Sequence, residues 1–516
     1  MRRGLAVKDF RFQEMSQAMP NHRSYHELTF TADPGDLNPY LDLTFQISFI
    51  RPDGEVSIAD GFYDGDETFA ARAYCDTVGA WEWHSSSNVP GIDAQTGTFE
   101  VEPSDLPGKL RIHAYDPYQF AYDSGDWFLH IGDTGYRYVT TSEPEWKAYI
   151  DQAAQMGATK IRTWFCEGRS DVQVLLSEDR QSLNLPYWQE IDRRLAYAFQ
   201  KYPHIIFKLI PYGEDTDEIR RYDSRDPATL LISRYAQARF TAYPNVTWCP
   251  TNDREIIREG ELDGRKIHWH TINQMAGDIA SREPWGTLVT NHQCRFKGYD
   301  FTECAWSDIV TLEDIDQVHG QVLLDYREKT SAPIINDEDR YETYREPKHA
   351  RYFFRRLMWA SLLSGGHATY GGTRTFEPYD GELKGVIGYY DACRDGKLKE
   401  GAHDFNAIHQ FFREAKLTMV GLKPDDACVG GDSLRWKCAR TEDTWIVYLA
   451  NPSGEDPETD EAAESVPEVS VALSDGTFSV RWYHPIDGSW SEPQCVESHT
   501  FQAPGPGDYV LLIQPS

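Results

Sequence analysis

Asp253, in Asn252-Asp-Arg-Glu255, and Glu338, in Asn336-Asp-Glu-Asp-Arg-Tyr-Glu342, each follow a short apolar run of the kind that forms a buried strand. Two carboxylates held at the ends of different strands can divide labour at an acetal carbon. One protonates the departing oxygen while the other meets the oxocarbenium-like carbon or activates a water against it. Spacing leaves the register open, because Glu255 competes with Asp253, and Asp337, Asp339 and Glu342 compete with Glu338.

Other polar residues follow apolar runs along the same stretch: Asp133, Arg162 with Trp164 and Glu167, Tyr212 with Glu214, Asn252, His292, Trp306 with Asp308, Tyr341, and Tyr370 with Arg374. Carboxylates beside aromatics, Arg and His suit sugar chemistry, since aromatic faces hold a ring while polar groups fix its hydroxyls. Taken singly, each could equally be a salt-bridged or capping side chain, because the strand-end face of a β/α barrel is polar in any case. Asp133, Arg162, Trp164, Tyr212, Glu214, Asn252, His292, Trp306, Tyr341 and Tyr370 are the candidate substrate contacts.

The elements that must position these groups are legible in the periodicity. After Asp116-Pro117 short apolar strands alternate with longer helical stretches, the pattern of βα units on a parallel sheet. The strands expected are Phe128–Ile131, Lys160–Phe165, His204–Ile210, Val246–Cys249, Thr287–Asn291, Asp308–Val310, Pro333–Asn336 and His367–Tyr370, and eight such strands close a (β/α)8 TIM barrel. Strands four and seven, which carry Asp253 and Glu338, face one another across it. On either side the texture is all-β: alternating runs such as His26–Phe30, Asp42–Ile50 and Thr68–Tyr74 before the barrel, and Ser433–Cys438, Trp445–Leu449, Phe478–Tyr483 and Asp508–Ile513 after it. The expected architecture is multidomain, α/β plus β: an antiparallel β-sandwich over 1–116, the barrel over 117–412 and a second β-sandwich over 413–516.

Composition narrows the partners. With 82 acidic against 51 basic side chains the formal charge is −31, a field that repels phosphate backbones and anionic membranes, so no nucleic acid and no membrane is expected. An acidic, Lys-poor surface is also one way to stay soluble in strong salt. The start lacks the apolar segment of a secretory signal and no window reaches the length of a membrane span, so a cytoplasmic location is expected. Nine cysteines at scattered spacings, without a C-x-x-C pair, indicate neither a zinc site nor a disulfide framework, and His268 and His270 read as helix or loop residues.

Several motifs together resemble a known family. Tyr25–Phe30, Asn38-Pro-Tyr40, Gly61–Gly65 and Gly79–Trp83 look like the N-terminal β-domain that often precedes apiosidase-type bacterial glycoside hydrolase barrels. Gly132-Asp-Thr134, Trp248 through Asp253, Pro333 through Glu342 and Arg356–Gly366 with Tyr370-Gly371 are similar to that group's strand-end motifs, and Trp482–Pro485 with Pro504–Leu512 to its C-terminal sandwich. The resemblance covers nearly the whole chain. It implies a glycosidase acting on a plant, algal or microbial polysaccharide or a derived oligosaccharide, with Asp253 as acid/base, Glu338 as nucleophile, retention of anomeric configuration, and no metal or organic cofactor. One departure stands out: many related barrels carry Asn-Glu after strand four, where this chain has Asn252-Asp253. The competing readings are a carbohydrate-binding barrel without turnover, and a polysaccharide lyase in which Arg162, His292 and Arg374 serve a uronate.

Overall fold

The computed structural model describes residues 20–166, 172–314, 317–342, 351–372, 400–430, 435–456 and 460–516. Glu167 and Arg374 of the expected set lie outside them.

Strands β1 (Tyr25–Thr31), β2 (Phe45–Ile50), β3 (Val56–Asp60), β4 (Phe62–Gly65), β5 (Thr68–Tyr74), β6 (Gly79–Ser87) and β7 (Thr96–Val101) form two antiparallel sheets, ordered β1-β5-β4 and β3-β2-β6-β7. Alternate residues turn inward, as the two-residue period of a half-buried strand requires, and Phe30, Phe45, Ile47, Phe49, Phe69 and Trp81 share one core between the sheets. A three-stranded antiparallel sheet follows: β8 (Leu110–His113), β9 (Asp116–Tyr122) and β10 (Trp127–Phe128). Leu110, Phe120 and Phe128 from it pack against Ile206, Leu288, Ile309 and Ile335, all near the beginnings of the central strands, so this small sheet plugs the end of the central sheet opposite the candidate site. The boundary expected at 116 falls on the first residue of β9, its middle strand.

The central sheet is parallel and curled, ordered β14-β13-β12-β11-β19-β18-β17. Its strands are β11 (Ile131–Thr134), β12 (Lys160–Trp164), β13 (Ile206–Ile210), β14 (Val246–Trp248), β17 (Val310–Glu313), β18 (Ile334–Glu338) and β19 (His367–Tyr370), with a short parallel pair, β15 (Glu255–Ile257) and β16 (Lys266–His268), set in the loop after β14. The helices that cover it announce their starts. Ser142 and Glu145 form a capping box at α1 (Glu143–Gln155), with the Ser142 N–H donating to the Glu145 carboxylate at 2.9 Å. Asp226 accepts the Thr229 N–H at 2.9 Å ahead of Pro227 in α2 (Pro227–Phe240).

Three expected strands need correction, the first being Phe128–Ile131: Phe128 lies in β10, antiparallel to β9, and the parallel strand starts only at Ile131 and runs to Thr134. Thr287–Asn291 forms no ladder strand: it meets β14 at a single bridge, Trp248 to Val289, and on its other side the Val289 N–H is taken by the Asp308 carboxylate at 2.7 Å and the Thr290 hydroxyl turns to the Ile309 carbonyl at 2.6 Å in place of a ladder with the sixth strand. The sixth strand begins at Val310, where it was expected to end, and runs on to Glu313.

After the central sheet the chain returns to antiparallel strands, in a six-stranded sheet that includes Trp436–Arg440, Trp445–Leu449, Phe478–Tyr483 and Tyr509–Pro515, and in a three-stranded one over Val429–Gly430, Glu468–Val471 and Thr500–Gln502. Buried ion pairs tie both flanking regions to the centre. Arg72 of β5 meets Asp192 at 2.6 and 2.8 Å, and Arg355, on the helix Arg351–Leu363, meets Asp508 at 2.7 and 2.8 Å and Asp404 at 2.7 Å. No helix among the described residues is long and apolar enough to cross a membrane.

Candidate active site

Glu338 is the last residue of β18, and donors surround it. Tyr136, just past β11, donates its hydroxyl to Glu338 Oε2 at 2.6 Å, Arg162 of β12 donates Nη2 to the same oxygen at 3.0 Å, and Tyr341 donates to Oε1 at 2.5 Å. Arg162 Nη2 also reaches Asn252 Oδ1 at 2.8 Å, and Asn252 Nδ2 donates to the Tyr136 hydroxyl at 3.3 Å. The guanidinium lies over the Tyr136 ring at 4.8 Å, and Trp164 stacks on that ring from another side, 4.1 Å between centroids and 20° between planes. The residue next door plays a different part: Asp337 binds Lys160 at 2.9 Å, Lys208, and the Thr369 hydroxyl at 2.5 Å, and these cations hold its carboxyl well below the usual range despite complete burial. Gly132 makes room for this, since a Cβ there would collide with the Thr369 hydroxyl.

Asp253 ends the segment after β14 with φ at +51°, in the left-handed region that Asp tolerates better than most residues. Its N–H points to His292 Nδ1 at 3.4 Å, and one carboxylate oxygen, Oδ2, accepts from Arg265, which immediately precedes β16. An accepting Nδ1 puts the imidazole proton on Nε2, which faces Glu338 Oε2 at 3.8 Å, and burial keeps the ring neutral by lowering its pKa well below the ordinary value. Burial first, then the charge of Glu338, raises the pKa of the Asp253 carboxyl.

A third carboxylate stands beside Glu338. Glu313, the last residue of β17, bonds Arg295 at 2.9 Å, and one of its oxygens lies within 4.8 Å of an oxygen of Glu338 and a ring nitrogen of His292. Burial, then Glu338 and Asp253, push its carboxyl well above the usual range. His292, Glu313 and Glu338 are close enough to share a cation, but their chemistry is poor for one: the imidazole nitrogen that faces the group carries its proton, and Arg162 and Arg295 already bind the carboxylates.

The structure thus brings Asp253, Glu338, Arg162, Trp164, Asn252, His292 and Tyr341 into one cluster. Glu214 stands beside it, paired with Arg254 at 3.2 Å. Four candidates bond elsewhere: Asp133 accepts from Tyr149 of α1 at 3.0 Å, Tyr212 donates to the Thr229 carbonyl at 2.7 Å, Trp306 donates to Asn273 at 2.8 Å, and Tyr370 donates to Glu342. The competitors also have their own partners, Glu255 with Lys297 at 3.1 Å, Asp339 with Asn336 at 3.0 Å and Glu342 with Tyr370 and the Gly401 N–H. Sequence reasoning missed Tyr136, Arg265, Arg295 and Glu313. Glu313 was within reach, since the apolar run Ile309–Leu312 ends on it, but starting that strand at Asp308 and ending it at Val310 hid its final residue.

Exposure separates the carboxylates. The Asp253 and Glu338 side chains keep 13% and 8% of their surface, against 2% for Glu313 and none for Asp337. A molecule arriving at the ends of the strands can touch the first two.

Solved structures of glycoside hydrolases share the fold. A candidate glycoside hydrolase from Bacteroides vulgatus ATCC 8482 superposes with a TM-score of 0.76 at 17% identity, over 96% of this chain and 99% of that one. A glycoside hydrolase family 5 protein from the same strain gives 0.62 at 15% identity, over 79% and 94%, and a further glycoside hydrolase 0.60 at 16%, over 80% and 99%. At such identities these likenesses speak for the fold. None of the curated proteins compared matches the sequence. Residues 22–88 match a domain of unknown function, DUF5060, and residues 116–418, more than half of the chain, match the family described as apiosidase-like, catalytic domain. The chain therefore belongs to the apiosidase-like family and carries a glycoside-hydrolase-like domain behind an N-terminal β-rich region.

Proposed function

We propose that the protein is a retaining glycosidase in which Glu338 is the nucleophile and Asp253 the acid/base, acting on a polysaccharide or a derived oligosaccharide. The observation that carries this reading is the contrast between the two accessible carboxylates. Glu338 sits among Tyr136, Arg162 and Tyr341, donors that suit an ionised group attacking an anomeric carbon, whereas burial and the Glu338 charge favour the protonated form of Asp253, as an acid at neutral pH requires. Trp164, Tyr136, Asn252 and His292 are buried and form the packed support around the two accessible carboxylates.

Retention follows from reading Glu338 as a nucleophile that forms a glycosyl ester, which water, deprotonated by Asp253, then opens. The curled seven-stranded sheet, joined to the Thr287–Asn291 segment by its single bridge and by the Asp308 N–H to the Val289 carbonyl at 3.0 Å, is read as a (β/α)8 barrel closed by an irregular fifth strand, with units at 1–116, 117–412 and 413–516. The test is a panel of aryl glycosides and defined oligosaccharides, followed at once for new reducing ends and for the ultraviolet absorbance of unsaturated uronates. Reducing ends without that absorbance are expected. Absorbance would favour a lyase, and binding without either product a barrel that holds sugar but does not cleave it.

A further inference from the structure

Cys428 and Cys438 are ten residues apart in the chain, and their sulfurs lie 3.4 Å from one another. The two belong to different sheets. Cys428 immediately precedes the strand Val429–Gly430 of the three-stranded sheet, and Cys438 is the middle residue of Trp436–Arg440 in the six-stranded one. Both thiols sit in the core between those sheets, with Val447 and Leu511 from one and Val469 and Val471 from the other. The turn that carries Cys428 is fixed on the backbone of Cys438 itself. The Asp425 N–H donates to the Cys438 carbonyl at 2.8 Å, the Cys438 N–H donates to Asp426 Oδ1 at 2.8 Å, and the Cys428 N–H donates to the Asp425 carbonyl at 3.2 Å. Arg440, at 2.5 Å, and Lys437 hold the Asp425 and Asp426 carboxylates in turn. With both backbones pinned and the sulfurs already in contact, joining them asks for side-chain rotation and no backbone movement.

We propose that Cys428 and Cys438 are a disulfide site: a hydroperoxide converts the pair into a bond that staples the two sheets of the C-terminal region together, and a dithiol reopens it. Exposure sets the order of events. Cys428 keeps 9% of its surface and Cys438 none, so Cys428 meets the oxidant. The neighbouring Cys438 thiol also lowers the Cys428 pKa, against the effect of burial, and so favours the thiolate that attacks. The buried Cys75 and Cys249 turn to backbone carbonyls instead, and burial raises the pKa of each.

In the first step the Cys428 thiol gives up its proton and its sulfur bonds one peroxide oxygen as the O–O bond breaks. The departing oxygen takes the proton and leaves as water, and Cys428 is left as a sulfenic acid. In the second step the Cys438 sulfur bonds the Cys428 sulfur as the S–O bond breaks, and the hydroxide leaves as water with the Cys438 proton. Both sulfurs are oxidised and the peroxide oxygens are reduced, so thiols and peroxide give disulfide and water with no other reactant.

The experiment treats the full-length chain with hydrogen peroxide or with dithiothreitol, removes the reagent, blocks the remaining thiols with iodoacetamide and identifies the peptides by mass spectrometry. It is done with Cys495→Ser, which removes an exposed thiol. The oxidised protein should yield a species that joins the Cys428 and Cys438 peptides, two hydrogens lighter than their reduced sum, and dithiothreitol should release it. Its melting temperature should exceed that of the reduced protein by about 5 °C or more, because the bond constrains the unfolded chain. With Cys438→Ser, peroxide should leave Cys428 as a sulfenic acid that dimedone traps, and with Cys428→Ser it should leave Cys438 as a thiol. Alkylation of both cysteines after peroxide, or their linkage to other cysteines, would overturn the proposal. A linked pair without a rise in melting temperature would overturn its role as a staple. The peptide map needs neither substitution at the pair, so it decides the matter even where those variants fail to fold.

Discussion

Arg162 reaches Glu338 and Asn252 through the same nitrogen, Nη2, at 3.0 and 2.8 Å, and thereby links the ends of the strands that carry the two accessible carboxylates. Replacing it by Met leaves Glu338 with its tyrosine donors but removes the cation beside it. We expect kcat to fall by on the order of a hundredfold or more, and Tyr341→Phe by about tenfold to a hundredfold, because each removes a donor placed against the reacting carboxylate. Steady-state kinetics with a substrate from the panel check both values, and a change confined to KM would contradict them.

Asp308 offers a test of stability against pH. Burial raises its carboxyl from the ordinary 3.8 to about 6 while its oxygen accepts the Val289 N–H. A raised folded-state pKa means that the wild type is relatively stabilised below the unfolded value and loses that contribution as pH rises through about 6. Asp308→Asn removes the titration, so its stability relative to the wild type should improve between pH 4 and pH 7 by on the order of 2 kcal/mol. Urea unfolding at both pH values measures the difference, and a constant gap would contradict the assignment.

Arg355 holds the end of the chain against the central helices through Asp508 and Asp404. Arg355→Met leaves the Asp508 carboxylate buried with, among the described residues, only the Tyr448 hydroxyl, at 2.8 Å, as a side-chain donor, and should cost about 3–5 kcal/mol. Denaturant titration should show a lower midpoint, and a change below about 1 kcal/mol would mean that this pair is not what docks the C-terminal sheet.

The charge of −31 predicts a response to salt. Screening relieves self-repulsion among surface carboxylates, so the melting temperature should rise from dilute buffer to molar KCl. A flat or falling series would leave the acidic surface as a solubility feature only.

How far the sequence could be read follows from what each signal encodes. The strands β12, β18 and β19 were legible because their apolar runs are buried on both faces of a parallel sheet, and Glu338 and Asp253 because each lies at or within a few residues of the end of such a run. Glu313 was hidden by a strand placed too early, and Thr287–Asn291 by a side chain, Asp308, that takes a ladder position no periodicity records. Tyr136 lies beyond the end of β11, past Gly135, and Arg265 and Arg295 come from loops whose course is fixed only by tertiary contacts. Asp133, Tyr212 and Trp306 share the polar strand-end pattern of the site residues but turn to Tyr149, Thr229 and Asn273, a choice of direction that residue type alone leaves open.

The most direct test of the account compares Glu338→Gln with Asp253→Asn on one activated and one unactivated glycoside, with and without azide. Glu338→Gln should be inactive on both while folding normally. Asp253→Asn should lose far more on the unactivated substrate, which needs a proton, than on the activated one, and azide should accelerate it through a glycosyl azide of unchanged anomeric configuration. If Glu338→Gln retains near wild-type turnover while Asp337→Asn or Glu342→Gln is dead, or if the azide product is inverted, the assignment of Glu338 as nucleophile opposite Asp253 is wrong.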